Sequence, residues 1–78
     1  MLNLKIITPQ QMLYEGQVDS VTLPGKAGSF TVLTGHAPII SSLQKGKVVC
    51  KGADGVHEYD VRSGFAEVSA NVVSVCIE

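Results

Sequence analysis

The chain has 78 residues, six Lys or Arg against seven Asp or Glu, and a net charge of −1. A chain of this size is one small domain that hides roughly 60% of its extended surface on folding, too thin a core for a deep enclosed active site. Near-neutral charge without a run of Lys or Arg argues against the phosphate-neutralising footprint of a nucleic-acid binder.

Eleven Val, five Ile and four Thr, together 20 of the 78 residues, favour strands, and eight Gly and three Pro punctuate them. Leu2, Leu4 and Ile6 point one way and Lys5 the other, until Pro9 removes a ladder donor and ends the strand. Met12 to Val18 is a second strand, with Met12 and Tyr14 on one face and Gly16 marking a bulge. Val21 and Leu23 alternate with Ser20 and Thr22 and lead into Pro24-Gly25-Lys26-Ala27-Gly28. Pro24 suits the first central position of a type II turn and Gly25 the second. Phe30 and Val32 resume the strand, Gly35-His36-Ala37-Pro38 breaks it, and Ile39 to Leu43 is a short apolar piece ending at Lys45-Gly46. Val48 to Lys51 and Val56 to Val61 flank Gly52-Ala53-Asp54-Gly55, a hairpin turn with Asp-Gly at its end. Phe65 to Val68 and Val72 to Ile77 flank Ser69-Ala70-Asn71, where Asn71 tolerates a left-handed backbone. No helical period, repeat or linker interrupts residues 1–78, which read as one all-β domain of antiparallel strands.

The longest apolar stretches are a few residues, against the roughly 20 that a membrane-spanning helix needs, so no insertion into a membrane is expected. Residues 1–11 lack the basic start, apolar core and small-residue site of a secretory signal. Cys50 and Cys76 sit outside any CxxC pair and read as free thiols filling space on strands. His36 and His57 have no further ligands at zinc-site spacing, and no metal or other cofactor is expected. None of the serines lies in a nucleophile elbow; a hydrolase would have to pair Ser41 or Ser63 with His36 or His57. Lys26 is followed by Ala rather than Ser or Thr and by a strand rather than a helix, which a phosphate loop does not allow. As a lysine on a hairpin it would suit a swinging-arm carrier or adaptor domain, although its neighbours do not match the flanks of biotinyl or lipoyl lysines. The Gly35-His36-Ala37-Pro38 loop leaves two readings open: His36 hydrogen-bonds within its own loop, or it contacts a partner.

Ser20-Val21-Thr22-Leu23-Pro24-Gly25, followed by Gly28-Ser29-Phe30-Thr31-Val32-Leu33-Thr34-Gly35-His36-Ala37-Pro38, closely resembles the signature of the N-terminal β-sandwich domain of F-type ATP synthase epsilon subunits. The likeness continues in Leu43-Gln44-Lys45-Gly46 and in Ser63-Gly64-Phe65-Ala66-Glu67-Val68 with Asn71-Val72-Val73, in order along the whole chain. Thr31 and Ser63 stand where the family commonly has glycine, and Thr34 where it has proline.

The resemblance implies a ten-stranded β-sandwich of two packed sheets. It also implies a non-catalytic rotor subunit of the central stalk, coupling the membrane ring of c subunits to the gamma subunit during proton-driven ATP synthesis. The expected location is peripheral, on the cytoplasmic face of the bacterial plasma membrane. By position, Gly25, Lys26, Ala27, Gly28 and Ser29 take the ring-facing role, and His36, Pro38 and Ser41 the gamma-facing role. The family's C-terminal helical hairpin, which restrains ATP hydrolysis and in some members binds ATP, has no expected counterpart before Glu78.

Overall fold

The computed structural model describes all of residues 1–78 and contains no helix. Nine strands follow the alternating segments: β1 (Leu2–Ile7), β2 (Met12–Val18), β3 (Ser20–Gly25), β4 (Gly28–Leu33), β5 (Ile39–Leu43), β6 (Gly46–Gly52), β7 (Gly55–Val61), β8 (Gly64–Ser69) and β9 (Val72–Ile77). Hydrogen bonds join them in one continuous path, β2-β1-β9-β8-β5-β3-β6-β7, with β4 on the remaining flank of β3.

The all-β fold thus has nine strands joined in one curled sheet, where the resemblance implies ten in two packed sheets. The reason lies in β3. One flank pairs along its whole length with β4, while the other is divided, Ser20 to Thr22 pairing with β6 and Gly25 with β5. Sharing one strand keeps the two arms hydrogen-bonded to each other. The free ends of the path, β2 and β7, then approach across the interior, where the Tyr14 ring lies 5.9 Å from His57 and 6.1 Å from Tyr59.

Alternation turns one side of each strand inward. Leu2, Leu4 and Ile6 of β1, Val21 and Leu23 of β3, and Val73, Val75 and Ile77 of β9 are buried, and no polar or charged residue is. Each such aliphatic side chain contributes about 1.5–3 kcal/mol by leaving water. Burial also raises the pKa of Cys50, and of Tyr14 and Tyr59 beside it, with the Asp54 carboxylate adding to each.

The bulge falls elsewhere than the glycine suggested. Ile6 pairs with Tyr14 and Ile7 with Met12, so Leu13 is the extra residue, while Gly16 pairs regularly with Leu4. One inserted residue reverses the facing of everything beyond it. Tyr14 therefore points inward with Ile6, and Met12 lies outside with Ile7 rather than sharing the tyrosine's face. Gly16 instead makes room for the Tyr14 ring, whose Oη would stand 3.0 Å from a Cβ there. Both cysteines are free; Cys50 is buried as expected, whereas Cys76, between inward-facing Val75 and Ile77, turns to the outer face.

All pairings are antiparallel except that of β1 with β9, so the loops alternate between two edges of the sheet. Residues 8–11, 26–27, 44–45 and 62–63 turn at one edge; residues 34–38, 53–54 and 70–71 turn at the other. The two candidate segments are therefore at opposite ends of the β3–β4 hairpin, a six-residue ladder on the order of 17 Å long.

Candidate functional site

The first segment is the tip of that hairpin. Gly25 pairs with Gly28 and Pro24 with Ser29, leaving Lys26 and Ala27 as the two exposed turn residues. Pro24 and Gly25 are thus the buried end of β3 and not the centre of a type II turn. Two further bonds explain why the strand runs on: Gln44 N donates to Pro24 O and Lys26 N to Ser42 O, both at 2.9 Å, so the end of β5 holds the end of β3 in extended form. Close packing requires glycine at 25, because a Cβ would lie 2.7 Å from Gly28 O and 2.9 Å from the Phe30 ring. Thr31 sets its Oγ1 3.0 Å from that of Thr22 across the hairpin.

Neighbouring turns at this edge carry Lys45 and Arg62. Lys5 pairs with Glu15, and Lys47 with Asp60 and Glu58, whose carboxylates raise the Lys47 pKa; Lys26, Lys45 and Arg62 have no ion-pair partner. One acid stands next to them, Glu78, whose backbone N donates to Ser63 O. The edge presents three free cations on adjacent loops.

The second segment, residues 34–38, crosses from β4 to β5. Gly35 has φ +85°, a left-handed value that suits glycine. His36 N donates to Leu33 O at 3.1 Å, and His36 Nδ1 lies 2.7 Å from Ala37 O. A carbonyl only accepts, so Nδ1 carries the proton here and Nε2 is left for another partner. Both readings of His36 are therefore compatible: one nitrogen serves the loop and the other is free. Gly35 N donates to Asn71 Oδ1 at 2.8 Å, a contact absent from any reading of local sequence.

Pro38 is exposed and borders a shallow cavity of about 360 Å³ with Ile40 and Ser69. Ser41, expected among the gamma-facing residues, is less exposed than its neighbours Ile40 and Ser42. It is half-buried, pairs with buried Ala66, and its hydroxyl donates to Ser42 O at 3.0 Å. The outward residue of this segment is Ile40, 75% exposed, because β5 places Ile39, Ser41 and Leu43 on the inner side. Sequence reasoning missed Ile40 since a run of Ile-Ile-Ser-Ser has no alternation to orient it.

A third feature covers the outer face of the same arm. Phe65 pairs with Cys76, Cys76 with Ile7 and Ile7 with Met12, forming an apolar row beside a cavity of about 330 Å³. The pairings proposed for a hydrolase are not assembled: Ser63 turns at the edge opposite to the His36 loop and to the start of β7, which carries His57, and the Ser41 hydroxyl is used by the backbone. His57 Nε2 meets only Asp54 Oδ2, at 3.2 Å, and no group of three metal-ligating side chains gathers anywhere.

Residues 1–78 match a family described as the β-sandwich domain of the ATP synthase delta/epsilon chain. Among curated relatives, the ATP synthase epsilon chain of Campylobacter lari is 46% identical over 76 residues, covering 96% of this chain and 58% of the relative. That of Leptospira borgpetersenii is 38% identical over 74 residues, covering 95% and 58%. That of Caulobacter vibrioides is 35% identical over 77 residues, covering 99% and 90%. The chain thus spans about 58% of the length of the first two relatives and nearly the whole of the third. A cryo-EM structure of the mitochondrial ATP synthase of Euglena gracilis contains a chain with the same fold, at TM-score 0.90 and 23% identity, over 97% of this chain and 49% of that one. A chain in the central stalk and c-ring of the Tetrahymena thermophila enzyme matches at TM-score 0.80 and 13% identity, over 97% and 62%.

Proposed function

The chain belongs to the family of ATP synthase delta/epsilon chain β-sandwich domains, and from that premise we propose that it is a non-catalytic rotor component of the central stalk, coupling the c-ring to the gamma subunit. The observation that carries the proposal is the match to epsilon chains across nearly all of residues 1–78. In this reading the domain lies peripherally on the cytoplasmic face of the bacterial plasma membrane.

The coupling it performs is mechanical. Torque has to pass from one partner to another without slip, so the domain is useful in proportion to its stiffness, and a close-packed interior deforms little. Forty-one backbone hydrogen bonds within the strands brace the sheet, and the two candidate segments sit at opposite ends of one hairpin within it. We assign the ring-facing role to Gly25, Lys26, Ala27, Gly28 and Ser29, and the gamma-facing role to His36 and Pro38. Ser41 acts there through its strand, with Ile40 supplying the exposed surface. Free cations at Lys26, Lys45 and Arg62 favour polar or acidic loops on the ring. The two arms, β2-β1-β9-β8-β5 and β4-β3-β6-β7, we read as the two layers of the family's sandwich.

None of residues 1–78 is helical, so the braking of hydrolysis and the ATP binding associated with a helical hairpin have no counterpart among them. The test is binding of the purified chain to the gamma subunit of the same organism. Saturable one-to-one association is the expected result. Absence of binding at tens of micromolar, with a prosthetic group on Lys26 in the intact mass, would replace this reading by the carrier domain.

A further inference from the structure

The loop from Thr34 to Pro38 is shaped from within and placed from outside. Its two internal bonds, His36 N to Leu33 O and His36 Nδ1 to Ala37 O, would survive if the loop swung as a unit about its ends. Gly35 N is the one backbone donor of residues 34–38 that reaches a different part of the fold, and its acceptor is Asn71 Oδ1, 36 residues away. Such a tether matters here because β4, from which the loop departs, is bonded to β3 alone.

Asn71 is itself held firmly. It sits with Ala70 in the two-residue turn between β8 and β9, both with positive φ, at 63° and 50°, and its carbonyl accepts Asn3 N at 2.8 Å from β1. The turn admits asparagine, which visits the left-handed region readily, but does not demand it. With both central residues left-handed, glycine is the favoured second residue, since it carries no Cβ penalty. What asparagine adds is the side-chain oxygen, and that oxygen is bonded to Gly35.

We infer that Asn71 is the positioning residue of the gamma-facing loop: its side chain fixes where His36 and Pro38 stand, without touching the partner itself. The inference rests on the reading of His36 and Pro38 as gamma contacts. A loop held in its bound place before binding loses less freedom on association, which shows as affinity.

Two substitutions separate the tether from the turn. Asn71→Gly keeps the left-handed backbone and the bond from Asn3 but removes the acceptor of Gly35 N. Asn71→Asp keeps both the backbone and an acceptor. In the full chain, Asn71→Gly is expected to retain a cooperative thermal transition within a few degrees of the original. Hydrogen exchange at the Gly35 amide should accelerate roughly tenfold, and the Kd for the gamma subunit should rise about 2- to 10-fold, the loss of one ordinary hydrogen bond. Asn71→Asp should restore both readouts. Unchanged gamma affinity in Asn71→Gly, with Gly35 protection lost, would overturn the positioning role while leaving the proposed function intact. Unchanged Gly35 exchange would overturn it as well, because no tether would then exist in solution. Failure of the unsubstituted chain to bind gamma would overturn the function and this inference together.

Discussion

The hairpin tip at residues 25–29 and the crossover loop at residues 34–38 begin from similar material, a few small or polar residues that include glycine, yet they are held in place by different physics. At the tip, ladder register continues to the last pair, Gly25 with Gly28, and steric contact with Gly28 O and the Phe30 ring leaves no space for a side chain. In the crossover, no atom lies within 4 Å of where a Cβ at Gly35 would stand, and a single long-range hydrogen bond sets the position. One region is fixed by packing and the other by backbone dihedral and tether. Glycine is required in both, for unrelated reasons.

The sharpest way to break this comparison is substitution at the two glycines. Gly25→Ala should lower unfolding free energy by about 1–3 kcal/mol, the range for overpacking, read by urea denaturation. A loss within error would mean that the Phe30 ring gives way and that the tip is not sterically fixed. Gly35→Ala should cost less, about 1–2 kcal/mol from the left-handed backbone alone. Gly35→Asn should recover part of that loss because asparagine visits this region more readily, whereas Gly25→Asn should recover none of its own. Equal behaviour at the two sites would erase the distinction.

Alkaline titration examines the core behind the two regions. Burial holds the protons of Cys50, Tyr14 and Tyr59 more tightly in the folded chain than in the unfolded one. Their contribution to stability is therefore complete below the ordinary values of 9.0 for the thiol and 10.0 for the phenols, and is lost as pH rises through and beyond them. Stability should decline from about pH 9 upward, and Cys50→Ala, less stable at neutral pH, should show a flatter early decline. A parallel pH dependence in the two chains would show that the buried thiol is not titrating.

The smallest expected effect on folding is at the tip's exposed cation. Lys26→Ala should leave stability within about 0.5 kcal/mol of the original, since the side chain has no ion-pair partner. If the edge carrying Lys26, Lys45 and Arg62 faces an acidic ring surface, the same substitution should weaken ring association measurably and reduce its sensitivity to salt. Association indifferent to salt and to Lys26→Ala would place the ring contact on the hairpin backbone instead.

Much of the chain's local structure is legible in its residues. Alternation in Leu2-Asn3-Leu4-Lys5-Ile6 marks β1 and its inner face, Asp54-Gly55 marks the β6–β7 turn, and Asn71 is left-handed as its type suggests. These features depend on neighbours a few residues away, and the type and spacing of residues carry them. The misreadings share a different origin. Gly16 suggests a bulge, but the extra residue is Leu13; Pro24-Gly25 suggests a turn, but β5 holds them extended. In each case a partner strand decides.

What the sequence determined by itself is the set of strands, most of the turns and the family, because period-two alternation and turn chemistry are short-range and the family motifs span the chain. The tertiary structure decided facing, edge and tether: which side Met12 and Ile40 present, that one shared strand joins both arms, and that Asn71 reaches Gly35. The physical reason is register. A single residue of slip between two strands exchanges inside for outside, and register is set by pairing between segments far apart in the chain, where no local pattern reports it.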